Sequence, residues 1–317
     1  MAMKLIIQIP CYNEESTLAG TVRDLPTRID GIEQIEYLVI DDGSRDRTAE
    51  VAESLGVHHV VRLGSNRGLA RAFSRGVEYA ISQGADIVVN TDADNQYCGE
   101  DIALLVQPIL ENKADMVVGC RPIDTHPEFS ATKKHLQRLG SWTLRQVSRT
   151  TVRDAASGFR AFSREACQRL FVYSEFSYCM ETLIQAGTTG LRVGSVDVRV
   201  NPATRPSRLF RNVVEYITKS SMTILTMFML YRPGRFFSVI GGTFFAVALT
   251  LGLRFIYLVY LSADPEPGRT YLPSLILTAL AAIIGLLLFV MGALGELIKY
   301  QRRLQEEILY RMRRGDT

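Results

Sequence analysis

The chain is 317 residues long, 47% hydrophobic and 22% charged, with a formal net charge of +3 at pH 7. That length holds a soluble domain of ordinary size and something more, and so small a net charge gives no ground for nucleic acid as a partner. Five scattered cysteines (Cys11, Cys98, Cys120, Cys167, Cys179) without a Cys-x-x-Cys pair exclude a disulfide framework or zinc site and fit a reducing compartment. The four histidines have no metal-ligand spacing. Met1-Ala2-Met3-Lys4 runs straight into a β-prone stretch, so no export leader is expected.

Taken along the chain, residues 4–9 read as a strand, 18–25 as a helix, 36–40 as a strand, 46–55 as a helix and 59–63 as a strand. Residues 69–83 then read as a helix, 86–90 as a strand, 102–111 as a helix, 115–118 as a strand and 132–147 as a helix. Alternation at this spacing predicts an α/β fold, a mostly parallel sheet with helices on both faces. Ligands of such sheets bind beyond the carboxyl ends of the strands. Three polar clusters fall there: Pro10-Cys11-Tyr12-Asn13-Glu14-Glu15, Asp41-Asp42-Gly43-Ser44-Arg45-Asp46 and Asp92-Ala93-Asp94-Asn95-Gln96.

The third cluster carries the most chemistry. Two carboxylates separated by one residue at a strand end suit one hard divalent cation, with Gln96 as a neutral oxygen donor. Such a cation commonly shares its shell with phosphate oxygens, which suggests a metal (Mg2+ or Mn2+) holding a diphosphate. No Gly-x-Gly-x-x-Gly follows the first strand, and there is no Gly-Lys-Ser/Thr, which weighs against a dinucleotide fold and a P-loop. Asp42 is placed to accept hydrogen bonds from a base or ribose.

Farther on, residues 207–230 begin basic and amphipathic and end apolar, as a helix or helix pair lying in a membrane interface does. Residues 236–261 and 272–298 are apolar for about the length that crosses hydrocarbon. Arg254 in the first of them is expected to snorkel or to face a partner helix. Basic residues crowd before the first span and after the second, whereas the hairpin between them has Arg269 alone. The positive-inside rule then puts both ends on the cytoplasmic side of a multi-pass (inner) membrane protein. The expected layout is a catalytic domain over 1–204, interface helices over 205–234, a transmembrane hairpin over 235–299 and a basic tail over 300–317.

Residues 9–15, Asp41-Asp42-Gly43-Ser44, Asn66-Arg67-Gly68 before a helix and Asp92-Ala93-Asp94 together resemble the family-two glycosyltransferases. Asp154-Ala155-Ala156-Ser157-Gly158-Phe159-Arg160 followed by two spans is similar to their polyprenyl-phosphate branch, which includes dolichyl-phosphate mannose synthases. The resemblance implies a GT-A, Rossmann-like fold, a nucleotide-diphosphate sugar donor and a polyprenyl (undecaprenyl or dolichyl) phosphate acceptor. It implies that Pro10, Tyr12, Asn13, Glu14, Asp42, Asp92, Ala93 and Arg205 bind the donor, and that Asp92, Asp94 and Gln96 hold the metal. Asp94, Asp154 and Arg121 are the expected catalytic residues, with Glu181 as a weaker candidate, and Arg205, Ser207 and Arg208 resemble the family's basic loop that closes over the diphosphate. A lipid phosphate is already an anion and needs cations to position it, so Arg121, Lys134 and Arg138 are read as its clamp. Two alternatives stay open: transfer to another membrane acceptor, such as a lipid or polysaccharide, and a non-catalytic nucleotide-sugar binder. A homo-oligomer through the hairpin is also open.

Overall fold

The computed structural model describes residues 3–122, 148, 150–172, 178–202, 218, 221–222, 225–226, 228–261 and 272–314. The expected helix over 132–147 and most of the segment over 207–230 lie outside the described residues, as do Lys134, Arg138, Arg205, Ser207 and Arg208. The chain forms two units, Met1–Ile224 with Glu306–Thr317, and Leu225–Gln305.

The first unit is built on seven strands: β1 (Lys4–Cys11), β2 (Gln34–Asp41), β3 (His59–Arg62), β4 (Ile87–Asn90), β5 (Met116–Cys120), β6 (Arg160–Ser163) and β7 (Val193–Asp197). Their order across the sheet is β3-β2-β1-β4-β6-β5-β7. β1 pairs in parallel with β2 and β4, β2 with β3, and β5 with β7. The mostly parallel sheet expected from the alternation is therefore present. β6 runs antiparallel between β4 and β5. The periodicity gave no sign of β6 or β7, because β6 is four residues opening on an arginine and β7 is only partly buried.

Between the strands lie α1 (Leu18–Asp24), α2 (Thr48–Ser54), α3 (Leu69–Ser82), α4 (Ile102–Leu110), α5 (Arg164–Arg169) and α6 (Tyr178–Thr189). The centre of the sheet is apolar on both faces, as parallel strands require: Leu5, Ile6, Ile7, Ile9, Leu38, Ile40, Ile87, Val88, Val89, Met116 and Val117 are all fully buried. α3 buries Ala70, Phe73, Val77 and Ala80 and exposes Arg71, Arg75 and Glu78, the stripe of a helix packed on a sheet. At the amino ends of the strands, Glu36 Oε2 accepts from Lys4 Nζ at 2.8 Å and pairs with His59 Nε2 at 2.7 Å.

The second unit holds α7 (Pro233–Ile256), a π-helical turn (Tyr257–Leu261) and most of α8 (Leu272–Arg314). Both helices are long and apolar enough to cross a membrane, with mean hydropathies of 2.0 and 2.7 over their best windows. α7 and α8 approach closely through glycines: a Cβ added at Gly285 would lie 2.7 Å from the Phe245 ring, and one added at Gly241 3.1 Å from Gly285 O. Glu296 on α8 accepts a hydrogen bond from the Gly234 N–H (3.1 Å) in the first turn of α7 and pairs with Lys299 at 2.6 Å. Arg254 is exposed on the last turn of α7.

Residues 300–314, expected as a tail, continue α8. The last turns of α8 belong to the first unit. There Tyr310 is buried under the Arg169 guanidinium (4.2 Å to the ring centroid), and Arg313 lies over the Phe171 ring and reaches Glu78 at 3.2 Å.

Candidate active site

β1 lies between β2 and β4, with Cys11 opposite Asp41 and Gln8 opposite Asn90. The register therefore brings the ends of all three strands to one rim. Neighbouring strands lie about 4.8 Å apart, which sets Asp42 and Asp92 roughly 10 Å apart across the sheet.

The first two clusters are knitted together. Asn13 sits in the left-handed region at φ 55°, which its short side chain tolerates. Its N–H donates to Ser44 Oγ at 2.9 Å, and its Oδ1 accepts from the Arg45 N–H at 2.8 Å. The Glu14 N–H donates to Thr48 Oγ1 (2.8 Å), and the Glu14 carboxylate accepts from Thr17 Oγ1 (2.7 Å). Asp42, expected at a base or ribose, is 3% exposed and accepts from the backbone N–H groups of Arg67 and Gly68, both at 2.8 Å. Its carboxylate thus anchors the loop that opens α3. Tyr12 stands out of this wall at 37% exposure, while Pro10 is buried within β1.

The third cluster lies over the turn that precedes β6. Asp92 and Asp94 are partly buried; the Gln96 N–H donates to Asp94 Oδ1 (3.2 Å), and Ala93 O accepts from Thr21 Oγ1 (2.9 Å). Burial, then the neighbouring charge of Asp94, raises Asp92 to about 7, with Glu14 adding to the rise and Arg121 opposing it. Residues from β1, β4 and β5 therefore share one electrostatic field. Gly158 presses on the Asp92 carboxylate: an added Cβ would lie 3.1 Å from Asp92 Oδ1 and 2.8 Å from Tyr178 Oη.

Arg121 and Asp154, read from sequence as separate catalytic groups, form one pair. Arg121 Nε donates to Asp154 Oδ2 at 2.7 Å and Nη2 to Oδ1 at 3.1 Å. The Asp154 side chain is fully buried and that of Arg121 is 19% exposed. Two other arginines close to Asp154 in the chain go elsewhere: Arg153 to Asp197, and Arg160 to backbone carbonyls and Thr182. Glu181 is fully buried in α6.

Sequence reasoning missed the buried polar floor beneath Asp92. Gln8 Nε2 donates to Asn90 Oδ1, and Asn90 Nδ2 donates to Gly158 O and to Tyr178 Oη, all at 2.9 Å. Tyr178 stacks on Phe73 at 4.1 Å between centroids. A signal was available: Gln8 and Asn90 are polar residues set against the apolar runs Leu5–Ile9 and Ile87–Val89, at paired positions.

The residues present fit a divalent cation through the chemistry of the donor set, two carboxylates one residue apart, with Asp92 raised first by burial and then by the charge of Asp94. Among the described residues no group of three His, Cys, Asp or Glu side chains gathers as a larger ligand set.

The sequence profile of the family described as "Glycosyl transferase family 2" matches residues 6–171, which carry all three rim clusters and the Arg121–Asp154 pair. The chain belongs to glycosyl transferase family 2. UDP-N-acetylglucosamine–dolichyl-phosphate N-acetylglucosaminyltransferase of Methanococcus voltae is 34% identical over 63% of this chain and 86% of its own length. Glycosyltransferase AglJ of Haloferax volcanii is 28% identical over 80% of each chain. Among solved structures, glucosyl-3-phosphoglycerate synthase of Mycobacterium tuberculosis, in complex with Mn2+, UDP and glucosyl-3-phosphoglycerate, superposes with a TM-score of 0.54. That match is 20% identical and covers 72% of this chain and 79% of the other. The first unit therefore has the GT-A type of α/β fold, and the family-two protein is a glycosyltransferase.

Proposed function

We propose that this family-two glycosyltransferase moves a sugar from a nucleotide-diphosphate donor to a polyprenyl phosphate at the cytoplasmic face of a membrane, with a divalent cation and with inversion. The observation that carries the reading is the meeting, at one rim, of the Asp92–Asp94 carboxylates with the buried Arg121–Asp154 pair. It is supported by two helices of membrane-crossing length and apolarity, and by the relative from Methanococcus voltae, whose name gives dolichyl phosphate as acceptor.

In this reading Asp92 and Asp94, with Gln96, hold Mg2+ or Mn2+, which when bound neutralises charge on the departing diphosphate. Tyr12 and the clipped walls formed by Asn13, Glu14 and Asp42 receive the nucleotide, joined by Pro10, Ala93 and Arg205. An oxygen of the acceptor phosphate forms the new bond to the anomeric carbon. The bond from that carbon to the diphosphate breaks, and the nucleoside diphosphate leaves with the electron pair. A single displacement inverts the anomeric centre. Because the acceptor is already an anion, no strong base is needed, and positioning and electrostatics supply the rate. Arg121, fixed by Asp154, presents positive charge for that acceptor, together with Lys134 and Arg138. A lipid-phosphate acceptor suits this positive charge, whereas a neutral hydroxyl acceptor needs a general base.

The test incubates the full chain in detergent with radiolabelled UDP-N-acetylglucosamine, UDP-glucose or GDP-mannose, undecaprenyl or dolichyl phosphate, and Mn2+. Chloroform-extractable label is expected with one donor, and Asp94→Ala is expected to abolish it. Label that appears only on a non-phosphorylated lipid or polysaccharide defeats the acceptor assignment. Undiminished transfer by Asp94→Ala defeats the metal assignment.

A further inference from the structure

Arg160 is fully buried, the largest side chain with no exposure among the described residues. Its Nε donates to Ser157 O at 2.7 Å, Nη2 to Ala155 O at 2.8 Å, and Nη1 to Cys179 O at 2.6 Å and Thr182 Oγ1 at 3.0 Å. All four acceptors are neutral. A buried guanidinium is expensive unless its donors are met, and replacing buried ionic groups with apolar ones of similar size is often neutral or stabilising. Stability alone is a poor account of this residue.

Its position supplies a better one. Arg160 opens β6 directly opposite Asn90 of β4. Cross-strand partners of an antiparallel pair project to the same face. Asn90 takes Gly158 O and Tyr178 Oη, while Arg160 takes the carbonyls of Ala155 and Ser157 and the first turns of α6. Between them they fix both ends of the turn over residues 155–158. One end of that turn follows Asp154, whose carboxylate holds Arg121. The other is Gly158, which backs the Asp92 carboxylate.

We infer that Arg160 is a positioning residue for transfer, acting through the turn over residues 155–158 to set Asp154 and Asp92 relative to one another. It touches neither substrate. Lysine at this position offers a single point charge and cannot span carbonyls on two elements, so the guanidinium fork is the required feature. The inference rests on the proposed function for its kinetic consequence, but not for its structural one.

The experiment compares the full-length protein with Arg160→Lys, Arg160→Met and Tyr178→Phe. Hydrogen exchange of the backbone amides over 155–158 is measured alongside thermal melting and steady-state kinetics with the donor and lipid phosphate that give product. Arg160→Lys is expected to speed exchange over 155–158 while leaving that of β1 unchanged. It is expected to lower kcat per folded molecule by about a hundredfold, the cost of a misplacement near 1 Å, with the donor KM raised as well because Asp92 is among the donor-binding residues. A merely structural role would lower the melting temperature and the folded fraction, and leave kcat per folded molecule alone. Wild-type exchange over 155–158, or wild-type kcat per folded molecule, in Arg160→Lys overturns the inference. If both arginine variants fail to fold, Tyr178→Phe decides. It removes only the hydroxyl that bridges Asn90 and Gly158, and should show the same changes at smaller size; wild-type exchange there overturns the inference equally. Absence of transfer by the wild-type chain counts against the proposed function, and the exchange comparison still stands or falls by itself.

Discussion

At the scale of single residues, the site joins groups that are adjacent in the sequence with groups that are not. Asp92 and Asp94 were legible because both sit at the end of an apolar run, where a strand must deliver them to the rim. The pairing of Arg121 with Asp154 was not legible: the two are 33 positions apart, and Arg153 and Arg160, closer to Asp154 in the chain, were equally plausible partners on charge alone. The pair has a measurable consequence. Asp154→Asn leaves the Arg121 guanidinium without its bidentate carboxylate in a mostly dry setting, and is expected to cost about 3 kcal/mol of stability. Adding Arg121→Met to Asp154→Asn should recover part of that loss, which a double-mutant cycle by chemical denaturation reads directly. Additive losses in the cycle would mean that the two side chains do not depend on each other.

At the scale of elements, β1 to β5 and the helices among them were readable from alternation, since buried parallel strands are apolar throughout and the helices between them are striped. β6 escaped because an antiparallel strand of four residues, half of it Arg160 and Ser163, carries neither signature. The amino ends of β1, β2 and β3 meet at Glu36. Burial alone would raise its carboxyl, but hydrogen bonds from Lys4 and His59 outweigh this and hold it below the usual carboxylate range. A depressed pKa contributes stability that is present above the unfolded value of about 4.3 and lost as pH falls through the folded value. Glu36→Gln should therefore cost about 1 kcal/mol at pH 7, and the gap to wild type should close in denaturation curves taken below about pH 4. A gap independent of pH would remove the ion pairs from the account. In the hairpin, the test is steric. Gly285→Ala drives a methyl toward Phe245 and should lower the melting temperature in detergent, at a cost of about 1–3 kcal/mol. Gly242→Ala, where an added Cβ meets nothing within 4 Å, should be neutral.

At the scale of the whole molecule, the layout drawn from hydropathy gave the number and place of the apolar helices, but not where the second one stops. Composition marks residues 300–317 as basic, and a basic stretch at a chain end looks like a solvated tail. Helix continuity carries Tyr310 and Arg313 to α5 and Glu78 instead. Tyr310→Ala should lose about 2 kcal/mol of burial and lower the melting temperature by roughly 5 °C. Met312→Ala, on the exposed side of the same turns, should leave it unchanged. Equal effects would show that the last turns of α8 are not docked as described.

The insertion of β6 between β4 and β5 also dictates an order of events during synthesis. Among the described strands β5 touches only β6 and β7, and β4 gains its second neighbour from β6. Until the ribosome has made Ser163, the first four strands form one ribbon with an open edge, and β5 waits unattached. Such an edge invites pairing with other chains. A nascent chain arrested before Arg160 should therefore be sticky and sensitive to protease, and one released beyond Asp197 should be neither.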